Sequence, residues 1–145
     1  MSSNVLNRFE QTSTQDNPLI LGGTFETGDG QSLKKAYLSV DMTDISTAST
    51  SYIVSPVAGT ISKIYTIING AIATDDAVIT GKIGTTAITD GAVTIAYSGS
   101  AAGDVDSATP TAANTVVAGS NINFTTNGAS TNTIRATIVI EIALS

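Results

Sequence analysis

The sequence predicts an all-β domain, and three observations lead there. No window from Lys34 onward carries an apolar stripe at the 3.6-residue period of a helix. Short runs rich in Ile, Val and Thr alternate with turn residues at close spacing. The last run, within "TNTIRATIVIEIALS", alternates from Ile134 without a break. About eight such runs fit into roughly 110 residues, which suits a two-sheet jelly-roll or Greek-key β-sandwich.

The elements follow in chain order. "KAYLSVDM" gives the first strand, with Tyr37, Ser39 and Asp41 opposed to Leu38, Val40 and Met42. "STSYIVSP" gives the second, stopped by Pro56, which lacks the N–H a ladder needs. "GTISKIYTIING" gives the third and ends on the turn signal Asn69-Gly70. Its apolar phase slips between Ile61 and Ile64, which predicts a bulge or a strand buried on both sides. "DAVITGKIG" gives the fourth, after the acidic turn Thr74-Asp75-Asp76. "TAITDGAVTIAYSG" reads as short strands about an Asp90-Gly91 turn, with Val93, Ile95 and Tyr97 on one face. A long loop, "SGSAAGDVDSATPTAAN", follows. "NTVVAGSNINFTT" holds strand pieces around Gly119, with Ile122 and Phe124 inward. Asn127-Gly128 then turns the chain into the terminal strand.

That terminal strand has one core face, from Ile134 and Ala136 to Leu144. Its other face carries Arg135, Thr137, Val139, Glu141 and Ala143, and is hardly polar. A long apolar strand at a sheet rim invites aggregation, so this one is expected to pair inside a sheet. Thr137, Val139 and Ala143 are small enough for a neighbouring subunit to approach. Arg135 and Glu141 could then fix register across the subunits. The alternative cover is an arm or loop of the same chain. Residues 1–33 read differently from the domain at 34–145. They are polar, contain Pro18, and hold Gly22, Gly23, Gly28 and Gly30 within nine positions. The reading is an extended N-terminal arm with a small apolar anchor, Leu19, Ile20, Leu21 and Phe25. It either docks on another subunit or forms a terminus or edge strand of its own domain.

Composition removes most chemistry. The 145 residues are long enough for one core, but charged residues make up only 12% against a usual quarter or so. Net charge is −6: residues 1–35 carry −1 and residues 36–145 carry −5. No basic patch exists to neutralise phosphates or an anionic bilayer, so neither nucleic acid nor membrane is an expected partner. No apolar leader opens the chain, which is expected to be made in a cytosol. Cys and His are both absent, which removes thiolate metal sites and the commonest general base. A Ser-Lys pair is the remaining nucleophilic option. Ser62 and Lys63 are strand neighbours and should point to opposite faces. Asp75-Asp76 reads as a solvated turn. Asp104 and Asp106 begin like a Ca²⁺ loop, but Ala108 and Pro110 intrude and no Glu closes the pattern. No cofactor is expected, and the chain reads as a structural or interaction protein and not as an enzyme.

At the level of whole segments, "SYIVSPVAGTISKIYTIINGAIATDDAVIT" and "GAVTIAYSGSAAGDVDSATPTAANTVVAGSNINFTTNGASTNTIRATIVIEI" resemble the small capsid decoration (cement) proteins of tailed bacteriophages. The resemblance spans about residues 36–142 and rests on the S-P-x-A-G-T turn, the long loop and the final strand. It implies a jelly roll that forms a homotrimer on the outer head surface and clamps neighbouring major capsid subunits. The virion would be its location, after synthesis in the host bacterial cytoplasm. A receptor- or glycan-binding head domain of a phage fibre or tail is the other class such a fold can serve. The absence of Trp speaks against it.

Overall fold

The computed structural model describes residues 34–145. They form nine strands: β1 (Lys35–Met42), β2 (Thr50–Val54), β3 (Gly59–Ile68), β4 (Ala77–Ile83), β5 (Thr86–Ile95), β6 (Val105–Ala108), β7 (Thr115–Val116), β8 (Asn121–Thr126) and β9 (Ala136–Leu144). β4 and β5 meet across the two-residue turn Gly84-Thr85. From there the two halves of the chain run back side by side. β3 pairs with β6 and β7, β2 with β8, and β1 with β9, all antiparallel. The ribbon then rolls up, so that β9 also pairs with β3 and β8 with β4. The result is one sheet in the order β1-β9-β3-β6, with β7 also on β3, and a second in the order β2-β8-β4-β5. Nested pairing followed by rolling is the connectivity of the jelly-roll class of Greek-key sandwiches.

The core lies between the sheets and is built largely from isoleucine. Ile61, Ile64 and Ile68 of β3 and Ile138, Ile140 and Ile142 of β9 are buried from one side. Ile79, Val93, Ile95, Ile122 and Phe124 meet them from the other. β-branched side chains hold few rotamers and pack well on a pleated surface, so little rotamer freedom is lost in ordering them. β9 lies between β1 and β3, which answers why the chain can carry so apolar a strand: it has no free edge.

The S-P-x-A-G-T stretch has a geometric reason. Ser55 is fully buried, and its hydroxyl donates to the Val57 carbonyl at 2.8 Å. A Cβ on Gly59 would strike the Ala143 carbonyl and lie 2.8 Å from the Ile142 side chain. Only glycine lets β3 start this close to β9.

Several local readings change. The phase slip in β3 is a bulge: the register with β9 shifts between Ile61 and Lys63. Asn114 holds the opposite edge there, its side-chain amide donating to the Ile61 carbonyl at 2.8 Å. Asp90-Gly91 is not a hairpin turn. β5 runs through it, and residues 88–91 bulge out opposite Gly81. The displaced backbone at Thr89 pairs with Ala112, and Thr111 donates its hydroxyl to Asp90. The hairpin closes instead at Gly84, where φ is 58°. Strand β5 ends at Ile95, so Tyr97 leaves the face of Val93 and Ile95 and is half exposed. The long loop is broken by β6, which pairs with residues 64–67 of β3. Asn127-Gly128 does not lead straight into the terminal strand: residues 129–135 intervene, and β9 starts only at Ala136.

Candidate functional site

The outward face of the first sheet carries the residues expected at a subunit interface. Register places them in rows across β1, β9, β3 and β6. Tyr37, Glu141 and Lys63 form one row; Ser39, Val139, Tyr65 and Ser107 the next; Asp41, Thr137, Ile67 and Val105 the third. Ala143 lies beside Lys35 and Thr60 at the end of the sheet. Among the described residues, Tyr37, Ile67 and Val105 of this face are exposed and no second layer covers it. Thr137, Val139, Glu141 and Ala143 are therefore on the surface where the alternation put them, each half-buried by its strand neighbours.

Arg135 lies just outside this strand. It precedes β9, is exposed, and is tied to the turn before β4: its backbone N–H donates to Asn69 Oδ1 at 3.0 Å. Glu141 is engaged within its own chain. Its carboxylate accepts from Lys35 Nζ at 2.9 Å, from Ser62 Oγ at 2.7 Å and from Tyr37 Oη at 3.3 Å. The Ser62 hydroxyl first, and then Lys35, hold its carboxyl below the usual glutamate range. Glu141 in turn holds Lys35 above the usual lysine range. Glu141 thus locks β1, β9 and β3 together inside one chain. Thr137 ties β9 to β1 further along, donating to Asp41 at 2.6 Å.

The bulge also corrects the Ser62–Lys63 reading. Register slips by one residue there, so both side chains leave the core face. Ser62 turns to Glu141, while Lys63 lies over the Tyr65 ring, 5.5 Å from its centre. The two do not hydrogen-bond each other, and Ser62 gains no base from Lys63.

Asp104 and Asp106 sit together at the far end of the sandwich. They line an open recess of about 180 Å³ with Ile95, Ala96, Val105 and residues 98–100. Asp104 accepts from the Ala101 N–H at 2.7 Å. Asp106 is in strand β6, opposite the buried Thr66, and not in a loop. Burial first, and the charge of Asp104 second, raise its carboxyl above the usual aspartate range. Among the described residues, no three acids gather in a way that could hold a metal ion. Asp75 and Asp76 cap local backbone: Asp76 accepts the Tyr97 N–H at 2.9 Å. The anchor residues Leu19, Ile20, Leu21 and Phe25 and the arm at 1–33 lie outside the described residues.

The described residues thus form a rolled antiparallel sandwich with several polar side chains engaged in structure and the outer face of its first sheet uncovered. No family model matches the sequence, and no curated protein matches it either. Among solved structures, the chain is similar to a chain of the cyanophage Pam1 capsid asymmetric unit. That likeness has a TM-score of 0.50 at 14% identity, over 77% of this chain and 84% of that one. It is also similar to CsCBM6-3 from Clostridium stercorarium, solved with cellobiose, at TM-score 0.45 and 12% identity over 84% and 81%. Bacillus endospore appendages follow at TM-score 0.35 and 16% identity over 77% and 88%. At these identities the Pam1 likeness speaks to the fold, and the other two are too distant to carry an argument.

Proposed function

We propose that this chain is a structural protein of a phage virion, a non-catalytic decoration protein of the outer head surface. The observation that carries the reading is the shared fold with a chain of the cyanophage Pam1 capsid asymmetric unit. The segment resemblance to tailed-phage cement proteins supports it. The finer proposal is a homotrimer that seats the open β9 face, at Thr137, Val139 and Ala143, against neighbouring copies. The partner is the major capsid protein, held by the arm at 1–33 and one rim of the sandwich. Three copies of a weak contact raise the effective affinity of the assembly. Binding the assembled lattice and not free subunits would stabilise the head by mass action.

The test is co-sedimentation of the full chain, and of a chain lacking residues 1–33, with heads that lack this protein. The full chain should pellet with the heads. The truncated chain should keep its oligomeric mass and stay in solution. Full decoration by the truncated chain sinks the arm's role. Failure of the full chain to pellet, alongside binding to a polysaccharide array, moves the protein to the fibre or tail class.

A further inference from the structure

The two ends of the sandwich differ in charge. One end is built by residues 55–58, 84–85 and 117–120, and none of these connections contains an acid. They are tied to one another through the backbone. Ser55 N–H donates to the Ser120 carbonyl at 2.9 Å, Gly119 N–H to the Ser55 carbonyl at 2.7 Å, and Gly84 N–H to the Asn121 carbonyl at 2.8 Å. The other end is built by residues 43–49, 69–76, 96–104 and 127–135. These carry Asp44, Asp75, Asp76 and Asp104 against Arg135 alone.

The acid-free end also shows apolar side chains. Val54 is 61% exposed and Val117 is 63% exposed, and Pro56 between the tied loops is exposed as well. Single exposed valines are ordinary, but Val54 ends strand β2 opposite Asn121 and Val117 lies in a loop fixed by hydrogen bonds, so little ordering entropy is lost on contact. Lys35 and Lys82 stand at this end. Two acids of the strands, Glu141 and Asp90, are engaged by Lys35 and Thr111.

We infer that the acid-free end, at Val54, Pro56 and Val117 with Lys82 on its rim, is the surface that binds a partner protein whose contact patch is apolar and rimmed by acidic groups. The acidic end then faces solvent, where its charge repels other copies. This inference rests on the decoration reading and names the rim that reading leaves open.

The experiment titrates the full chain onto heads that lack it, at low and high salt. Three variants accompany the wild type: Val54→Asp with Val117→Asp, Lys82→Glu, and Asp75→Asn with Asp76→Asn. The paired valine variant should bind about tenfold more weakly or worse, with unchanged melting and unchanged mass by light scattering. Lys82→Glu should weaken binding and flatten its salt dependence. The paired aspartate variant should bind within about twofold of wild type. Wild-type affinity in the valine variant, an equal loss in the aspartate variant, or a drop in oligomeric mass from the valine variant overturns the assignment. A wild type that ignores the heads overturns the functional reading itself, and that result is seen in the wild-type arm alone.

Discussion

Glu141 makes contacts within its own chain that its place in the sequence does not announce. Alternation put it on the outer face of β9, where it is. What alternation could not show is that the bulge turns Ser62 outward beside it, so that three donors from the same chain take up its oxygens. The carboxyl is held below its ordinary value of 4.5, so its contribution is present above that value and is lost as pH falls through the lowered one. Lys35, held above 10.5, contributes below that value and loses its part as pH rises through the raised one. Glu141→Gln should therefore flatten the fall in melting temperature between about pH 5 and pH 2. The group is exposed, so the change is small. Asp106 carries the opposite sign. Burial raises its carboxyl, so the folded state takes up its proton first and gains stability as pH falls through the aspartate range. Asp106→Asn should raise the melting temperature at neutral pH, and the advantage should vanish in acid. Equal melting of the two proteins at neutral pH would remove the desolvation argument.

At the scale of elements, the strands with a clean period were legible and the short ones were not. β1, β3 and β9 fall where their alternation places them, and the slip at Ile61 marks a real bulge. β6 was hidden because its outward and inward residues, Val105, Asp106, Ser107 and Ala108, carry no apolar period; its pairing is set by the edge of β3. Asp90-Gly91 misled for a related reason. The dipeptide has the conformation of a turn, with Asp90 at φ 55°, but the chain around it has a second partner in residues 111–112. Long-range pairing decided between a turn and a bulge, and no local pattern encodes it. The open face of the first sheet belongs to this scale too. Val139 and Ala143 lie outside the core, so Val139→Asp with Ala143→Asp should leave the strand's inner face intact. Mass by light scattering should fall from about three chains to one while the circular dichroism of the fold persists. An unchanged mass would place the interface elsewhere.

Across the molecule as a whole, the polar side chains are used largely within the fold. Carboxylates and hydroxyls cap turns, lock strands and fill bulges, and Cys and His are absent from the chain. The outer face of the first sheet mixes Tyr37, Val139, Ile67 and Val105 with Asp41, Lys63 and Glu141, one end is free of acids, and the other end is acidic. The fold and the exposed β9 face were readable from the sequence, because both follow from a period of two. The charge asymmetry of the ends was not, since it depends on which loops the rolled ribbon brings together. The most direct test of the central claim is a cryo-EM map of heads assembled without this protein and then incubated with the full chain. The account predicts added β-sandwich density in threes at three-fold positions on the outer surface. Heads that gain no density there, at protein concentrations that saturate the preparation, would contradict it.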